Sequence, residues 1–169
     1  MTDTTKGFAA MIAACCIWGL SSIFYKLLSH VPAAEVLAHR TLWSLVFFII
    51  VLTAQRRLRA VFDAMAGPRA FGLLAFAALV IATNWYLFIS AVQSGQATEA
   101  ALGYYIFPLV SVLLGRLVFG ERLSPVQLFS VGLVTVAVSF LTYGLGTAPW
   151  LALALAASFG LYGLAKKRL

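Results

Sequence analysis

The chain has 169 residues, of which 63% are hydrophobic and only 10% carry a charge. A soluble globular protein is about half apolar and a quarter charged, so this composition excludes a water-soluble fold. The net charge of +7 does not indicate nucleic-acid binding, because the basic residues stand at the ends of apolar tracts. We therefore predict an all-α polytopic membrane protein that contacts membrane lipids and binds no nucleic acid.

Six apolar tracts are long enough to cross a bilayer as helices. A hydrocarbon core of about 30 Å takes roughly 20 helical residues, and these tracts are continuously apolar rather than alternating as in a membrane barrel. The first tract is too long for a signal peptide, whose apolar core has about 7–15 residues, and it leads directly into a second span. The predicted spans are 8–28, 34–55, 70–92, 98–118, 125–143 and 149–165.

The distribution of basic residues predicts the orientation of these spans. The chain has 12 Lys and Arg residues, and only Lys26 and Arg40 fall on the side of the membrane opposite to the two termini. Lys and Arg accumulate in cytoplasmic loops, so both termini are expected in the cytoplasm. The remaining ten, all on the side of the termini, are Lys6, Arg56, Arg57, Arg59, Arg69, Arg116, Arg122, Lys166, Lys167 and Arg168.

A weak internal repeat indicates how the chain is organised. Trp18-Gly19-Leu20 matches Phe159-Gly160-Leu161, and chance similarity between glycine-rich apolar helices is an equal alternative. If the repeat is real, the sixth span restarts the first after five crossings, and an odd number of crossings inverts the second copy. Residues 1–145 would then form a five-helix repeat, and 146–169 the first helix of a second repeat that the chain does not complete.

The second span carries a polar cluster near its outer end. Glu35, His39 and Trp43 recur every four residues and share one helix face, while Arg40 lies beside them and is close enough for a local ion pair. Ionisable groups inside a membrane are costly and often functional, so a vestibule or a proton relay is one interpretation. Interfacial anchoring is the other, because Glu complements a helix N-terminus and His and Arg reach head groups.

Five further side chains are candidates for substrate binding or coupling. Asn84 and Trp85 lie near the middle of the third span, where the amide can bind either a substrate or another helix. Glu99 begins the fourth span, and we expect it to cap that helix, with proton binding as the alternative. Tyr104 and Tyr105 offer aromatic faces and hydroxyls, either to a cavity or to simple helix packing.

Several motifs in order along the chain carry a family resemblance. They are Ile17-Trp18-Gly19, Glu35 with His39-Arg40 and Trp43-Ser44, Asn84-Trp85 with Leu87-Phe88-Ile89, Gly103-Tyr104, Pro108-Leu109, and Gly120-Glu121-Arg122. Together they resemble the RarD branch of the EamA family, within the drug/metabolite transporter superfamily. The resemblance covers the chain from about Lys6 to Leu169, with one departure at Phe107, where that branch has Asn before the proline.

The resemblance implies ten helices in two inverted five-helix repeats, placed in the bacterial cell membrane with cytoplasmic termini. It also implies export or exchange of small metabolites or drugs around a central cavity, which we expect spans one to four to line. The chain would lack one wall of such a cavity, so a homodimer is a further expectation.

A non-transporting membrane subunit or scaffold remains the alternative function. The sequence shows no metal-ligand motif, no cofactor-binding loop and no nucleophile with a base, so it gives no argument for an enzyme.

Overall fold

The computed structural model describes residues 3–120, 123–145 and 149–168, which form seven helices. The helices are α1 (Asp3–Leu27), α2 (Ala33–Ala54), α3 (Leu58–Ala64), α4 (Pro68–Gln93), α5 (Ala97–Phe119), α6 (Pro125–Leu145) and α7 (Trp150–Lys167). Arg122, used in the orientation argument, and 146–148, between the last two predicted spans, lie outside the described residues. The all-α membrane bundle predicted from composition is confirmed.

Five of the six predicted spans are helices long and apolar enough to cross a membrane: α1, α2, α4, α5 and α6. The sixth, predicted at 149–165, is α7, which has 18 residues and ends in Lys166 and Lys167. Because its last turn is charged, only the part at 150–165 is apolar, and that part rises about 24 Å, which is less than an ordinary span. Of the six predicted spans, five are therefore confirmed as helices that can cross a membrane.

The loop between the second and third spans contains a short helix that the sequence pattern did not predict. This helix, α3, has only seven residues. Gly67 then adopts a positive φ of 107°, which only glycine tolerates easily, and Pro68 opens α4 with its missing N–H at a position that needs none. Gly67-Pro68 thus separates α3 from α4.

Hydrogen bonds tie the loops together at one end of the bundle, where α1 and α4 end and α2, α5 and α7 begin. The Gln93 amide donates to the carbonyl oxygens of Leu28 and Val31, at 2.9 and 3.1 Å. The carboxylate of Glu99 accepts from the backbone N–H of Leu151, at 3.2 Å. This is the end that the basic residues predict to be outside the cell, and it is called the predicted outer end.

Helix α7 packs in the middle of the bundle, mainly against α5 and α4. Small residues permit this approach, because a Cβ on Gly103 would lie 2.9 Å from the carbonyl oxygen of Ala152 and 2.9 Å from the Leu155 Cβ. By contrast, α1 and α6 expose most of their apolar side chains. These exposed faces suit a lipid environment, whereas α4, α5 and α7 supply most of the buried core.

Candidate functional site

A cavity of about 310 Å³ lies between α1, α4, α5 and α7, and it is called the central cavity. Its lining is mainly apolar and aromatic, with two serine hydroxyls from α1. The lining residues are Trp18, Gly19, Ser21, Ser22, Trp85, Phe88, Ala97, Ala101, Tyr104 and Phe159. Spans one, three, four and six thus line this cavity, in place of the expected spans one to four.

The two serines of the central cavity differ in what they offer to a ligand. The Ser21 hydroxyl donates to the carbonyl of Trp18 in its own helix, at 2.6 Å. The Ser22 hydroxyl makes no hydrogen bond to any residue in the described ranges. Ser22 therefore supplies a free donor and acceptor to the wall of the central cavity.

An unbroken series of six aromatic rings passes the central cavity, and four of them, Trp85, Phe88, Tyr104 and Phe159, line it. Successive rings meet edge to face with centroids 4.7–6.4 Å apart, which is the arrangement that aromatic quadrupoles favour. The series is Tyr25, Trp85, Phe88, Tyr104, Phe159 and Phe107. Because these rings come from α1, α4, α5 and α7, they fix the mutual positions of the four helices around the cavity.

Arg40 of α2 lies over the face of Trp85, with its guanidinium carbon 3.4 Å from the ring centroid. A cation over an indole is worth about 0.5–1 kcal/mol in water and about 2 kcal/mol or more when desolvated. Arg40 and Glu35 do not form the predicted ion pair. The physical reason is that the two residues are five positions apart in a helix and point in different directions, whereas Trp85 faces Arg40 across the α2–α4 contact.

A second cavity, the lateral cavity, lies between α1 and α2 and has a volume of about 670 Å³. Polar side chains of α2 that the sequence analysis singled out line this cavity. The lining residues are Phe24, Tyr25, Leu28, Val31, Val36, His39, Arg40, Trp43, Ser44 and Phe47. Of the predicted second-span cluster, His39, Arg40 and Trp43 are thus brought together, and Glu35 is not among them.

The two acidic candidates have different surroundings. Glu35 is exposed in the first turn of α2 and makes no hydrogen bond or ion pair to any residue that the structure describes. Glu99 lies in the first turn of α5, but its hydrogen bond goes to the first turn of α7 through the N–H of Leu151. Its contact is therefore with the N-terminus of a neighbouring helix, instead of the expected cap of its own helix.

Asn84 is only 1% exposed and joins two helices. Its amide nitrogen donates to the carbonyl oxygen of Leu155 and to the hydroxyl of Ser158, both at 2.9 Å. Both partners belong to α7, so this amide supports helix packing behind the cavity. Such a contact satisfies polar groups that would otherwise face an apolar interior.

The tyrosine pair is divided between the cavity and the outside. Tyr104 lines the central cavity and packs against Phe88 and Phe159. Tyr105 is 64% exposed and belongs to neither the central nor the lateral cavity. Adjacent helical residues point about 100° apart, so only one member of the pair can face the cavity.

Phe88, Phe159 and Ser22 line the central cavity but were not among the residues singled out from the sequence. Phe159 had a signal, because the repeat search aligned it with Trp18, and the two residues face the same cavity. Phe88 belongs to one of the motifs that carry the family resemblance, whereas Ser22 had no signal, since a serine in an apolar helix is usually explained by packing.

Comparison with known proteins gives matches over nearly the whole chain. Residues 5–143 match the EamA-like transporter family. Protein RarD of Streptomyces exfoliatus is 48% identical over 153 residues, which are 90% of this chain and 49% of that protein. The uncharacterized transporter YojE of Bacillus subtilis is 42% identical over 169 residues, covering 98% of this chain and 57% of that protein.

A further relative, protein RarD of Escherichia coli, is 37% identical over 167 residues, or 99% of this chain and 56% of that protein. The chain thus spans about half the length of the curated relatives it matches. No solved structure matches the chain.

Proposed function

Because the chain belongs to the EamA-like transporter family, we propose that it forms part of a multi-pass transporter that exports or exchanges small metabolites or drugs across the bacterial cell membrane. The observation that carries this proposal is the central cavity, with aromatic rings from four helices around about 310 Å³. Cavities of this size lined by aromatic groups and a few polar atoms are typical of small-molecule sites.

The domain organisation predicted from the sequence supports an inverted repeat. The family match ends at residue 143, close to the predicted end of the first repeat at 145. Helix α1 runs toward the predicted outer end and α7 runs away from it, so the two helices are oppositely oriented. Trp18 of α1 and Phe159 of α7, which the repeat aligns, line the same cavity. Transporters with inverted repeats bind substrate between the repeats, and the central cavity meets that description.

The orientation of the transporter is proposed from its charges. Ten of the 12 basic residues lie on one side of the predicted topology, which places both termini in the cytoplasm and the α1–α2 loop outside. On this basis, the central and lateral cavities lie in the outer half of the membrane. Transport then requires an alternation that opens the central cavity toward each side in turn.

The test uses the tyrosine pair as a matched set of variants. The protein expressed from its complete gene is overproduced in bacteria, and the metabolites that it moves are identified by comparing intracellular and extracellular pools with those of an empty-vector strain. Tyr104→Ala removes a cavity ring, and we expect at least a tenfold loss of transport rate. Tyr105→Ala removes an exposed ring of the same size, and we expect transport close to that of the unmodified protein.

Equal membrane levels of the two variants are required and are measured by immunoblotting. Unchanged transport in Tyr104→Ala would contradict the central cavity as the transport site. Absence of any transported metabolite in cells that hold the protein in the membrane would favour a non-transporting subunit or scaffold.

A further inference from the structure

The guanidinium of Arg40 is held in place but leaves its hydrogen-bond donors unused. The guanidinium stacks on the Trp85 ring, with its central carbon 3.4 Å from the ring centroid, and this contact uses the flat face of the guanidinium. The five N–H donors of a guanidinium lie in its plane and point outward from its edges. None of them donates to a residue within 3–120, 123–145 or 149–168. Arg40 thus presents a preorganised fork of donors at the wall of the lateral cavity.

The charges around Arg40 do not balance. Arg40 lies seven residues inside α2, or about 10 Å below the start of that helix, so it reaches into the apolar layer. Of the two acidic side chains described at this end, Glu35 points elsewhere, and Glu99 is engaged by the N-terminus of α7. Lys26, which donates to the carbonyl oxygen of Gln93, adds a further positive charge there. The predicted outer end therefore carries a partly buried cation without a carboxylate partner.

The cavity beside this cation can hold a molecule with an apolar body. The lateral cavity has about 670 Å³ and is bounded mostly by aliphatic and aromatic side chains. Arg40 lines this cavity while Trp85 lines the central cavity, so the stacked pair forms a wall between the two. A ligand bound to Arg40 is consequently next to the proposed transport site.

We infer that this wall binds an organic anion, a carboxylate or phosphate on an apolar or aromatic body, and that such anions are the substrates of the proposed transport function, on which the inference rests. The oxygens of the anion accept from the edge of the Arg40 guanidinium, while the rest of the molecule packs against the apolar lining. An anion supplies the missing counter-charge, and the planar fork of donors matches a carboxylate or phosphate. His39 and Ser44, in the same lining, offer further donors.

The binding test uses three probes that share a phenyl group on a three-carbon chain and whose head groups are anionic, neutral and cationic. They are 3-phenylpropionate, its neutral amide and 3-phenylpropylamine, titrated calorimetrically into the protein from its complete gene in phosphatidylcholine nanodiscs. Hydrogen bonds to a charged acceptor are stronger than those to a neutral one, so we expect the anion to bind at least tenfold more tightly than the amide. The cationic amine should bind least.

Variants of Arg40 and Arg69 test whether Arg40 causes the preference for the anion over the amide. Arg40→Gln should remove the tenfold preference for the anion, and Arg40→Lys, which keeps the charge without the planar fork, should retain part of it. Arg69→Gln, an exposed arginine at the opposite end of the bundle, serves as the matched control and should leave the preference intact. If Arg40→Gln does not fold, the comparison of Arg40→Lys with the unmodified protein decides.

A second series replaces part of the phosphatidylcholine with phosphatidylglycerol, to separate a solute from an anionic lipid. The inference holds if phosphatidylglycerol competes with 3-phenylpropionate and if 3-phenylpropionate still binds when that lipid is absent. Stabilisation by the lipid alone, without binding of the anion, overturns the assignment of the substrate class, as does equal affinity for anion and amide. Either of these results leaves the proposed transport function standing, since that depends on the separate comparison of Tyr104→Ala with Tyr105→Ala.

Discussion

Replacement of Gly103 by alanine tests the close approach of α5 and α7, on which the shape of the central cavity depends. The added Cβ would lie 2.9 Å from the carbonyl oxygen of Ala152 and 2.9 Å from the Cβ of Leu155. Favourable contacts of carbon begin at about 3.5 Å, so the two helices must separate by roughly 0.6 Å. Both obstructing atoms belong to or adjoin the α7 backbone, and neither can rotate away.

The expected loss follows from this geometry. Overpacking a close-packed interior costs about 1–3 kcal/mol, and 1–2 kcal/mol changes the ratio of folded to unfolded protein by about 5–30-fold. Gly160→Ala should cost less, because its new Cβ would meet side-chain methyl groups of Val110 and Leu114, at 2.9 and 3.0 Å, and no backbone atom. Gly132→Ala is the control, since nothing lies within 4 Å of its added Cβ.

The assay is reversible unfolding of the purified protein in mixed micelles, followed by helical circular dichroism. The predicted order of destabilisation is Gly103→Ala, then Gly160→Ala, then Gly132→Ala, whose free energy of unfolding should lie within about 0.5 kcal/mol of the unmodified protein. A Gly103→Ala protein as stable as Gly132→Ala would refute the close contact between α5 and α7.

Two further substitutions test the polar contacts of α7 in the same assay. Asn84→Leu removes the donors to Leu155 and Ser158 and should cost about 0.6–2 kcal/mol, the range found for hydrogen bonds between membrane helices; a loss below 0.3 kcal/mol would show that the amide does not join α4 to α7. Glu99→Gln keeps an acceptor oxygen for the N-terminus of α7 but removes the negative charge that interacts favourably with the helix dipole. The free energy of unfolding should therefore fall by about 0.3–1 kcal/mol. The pH dependence of transport should stay unchanged. A shifted pH profile would instead assign Glu99 to proton coupling.

Much of the fold could be predicted from the sequence because it depends on local properties. The length and hydropathy of the tracts place the helices to within a few residues, and the turn chemistry of Gly67-Pro68 places the start of α4. The seven-residue α3 was missed because a helix of two turns leaves too short a pattern to read. The sixth predicted span ends at 165 because Lys166 and Lys167 are typical of a flank, whereas α7 includes both.

The candidate site was less predictable, because it depends on which helices meet. Arg40 and Trp85 were each singled out, but residues 45 positions apart are joined only by the packing of α2 on α4. The expected partner of Arg40 was Glu35, chosen by proximity in the chain. Local spacing within one helix therefore found the residues of the site without finding their contacts.

Helix α7 links the stability of the bundle to the geometry of its cavity. Its small residues meet Gly103 of α5, and the next residue of α5, Tyr104, lines the central cavity against Phe159 of α7. A change that separates α5 from α7 by a few tenths of an ångström must also move these two rings, whose centroids are 6.2 Å apart. Gly103→Ala should therefore lower transport as well as stability, whereas Gly132→Ala should lower neither. A destabilised Gly103→Ala protein with full transport would show that the aromatic wall is not set by this helix contact.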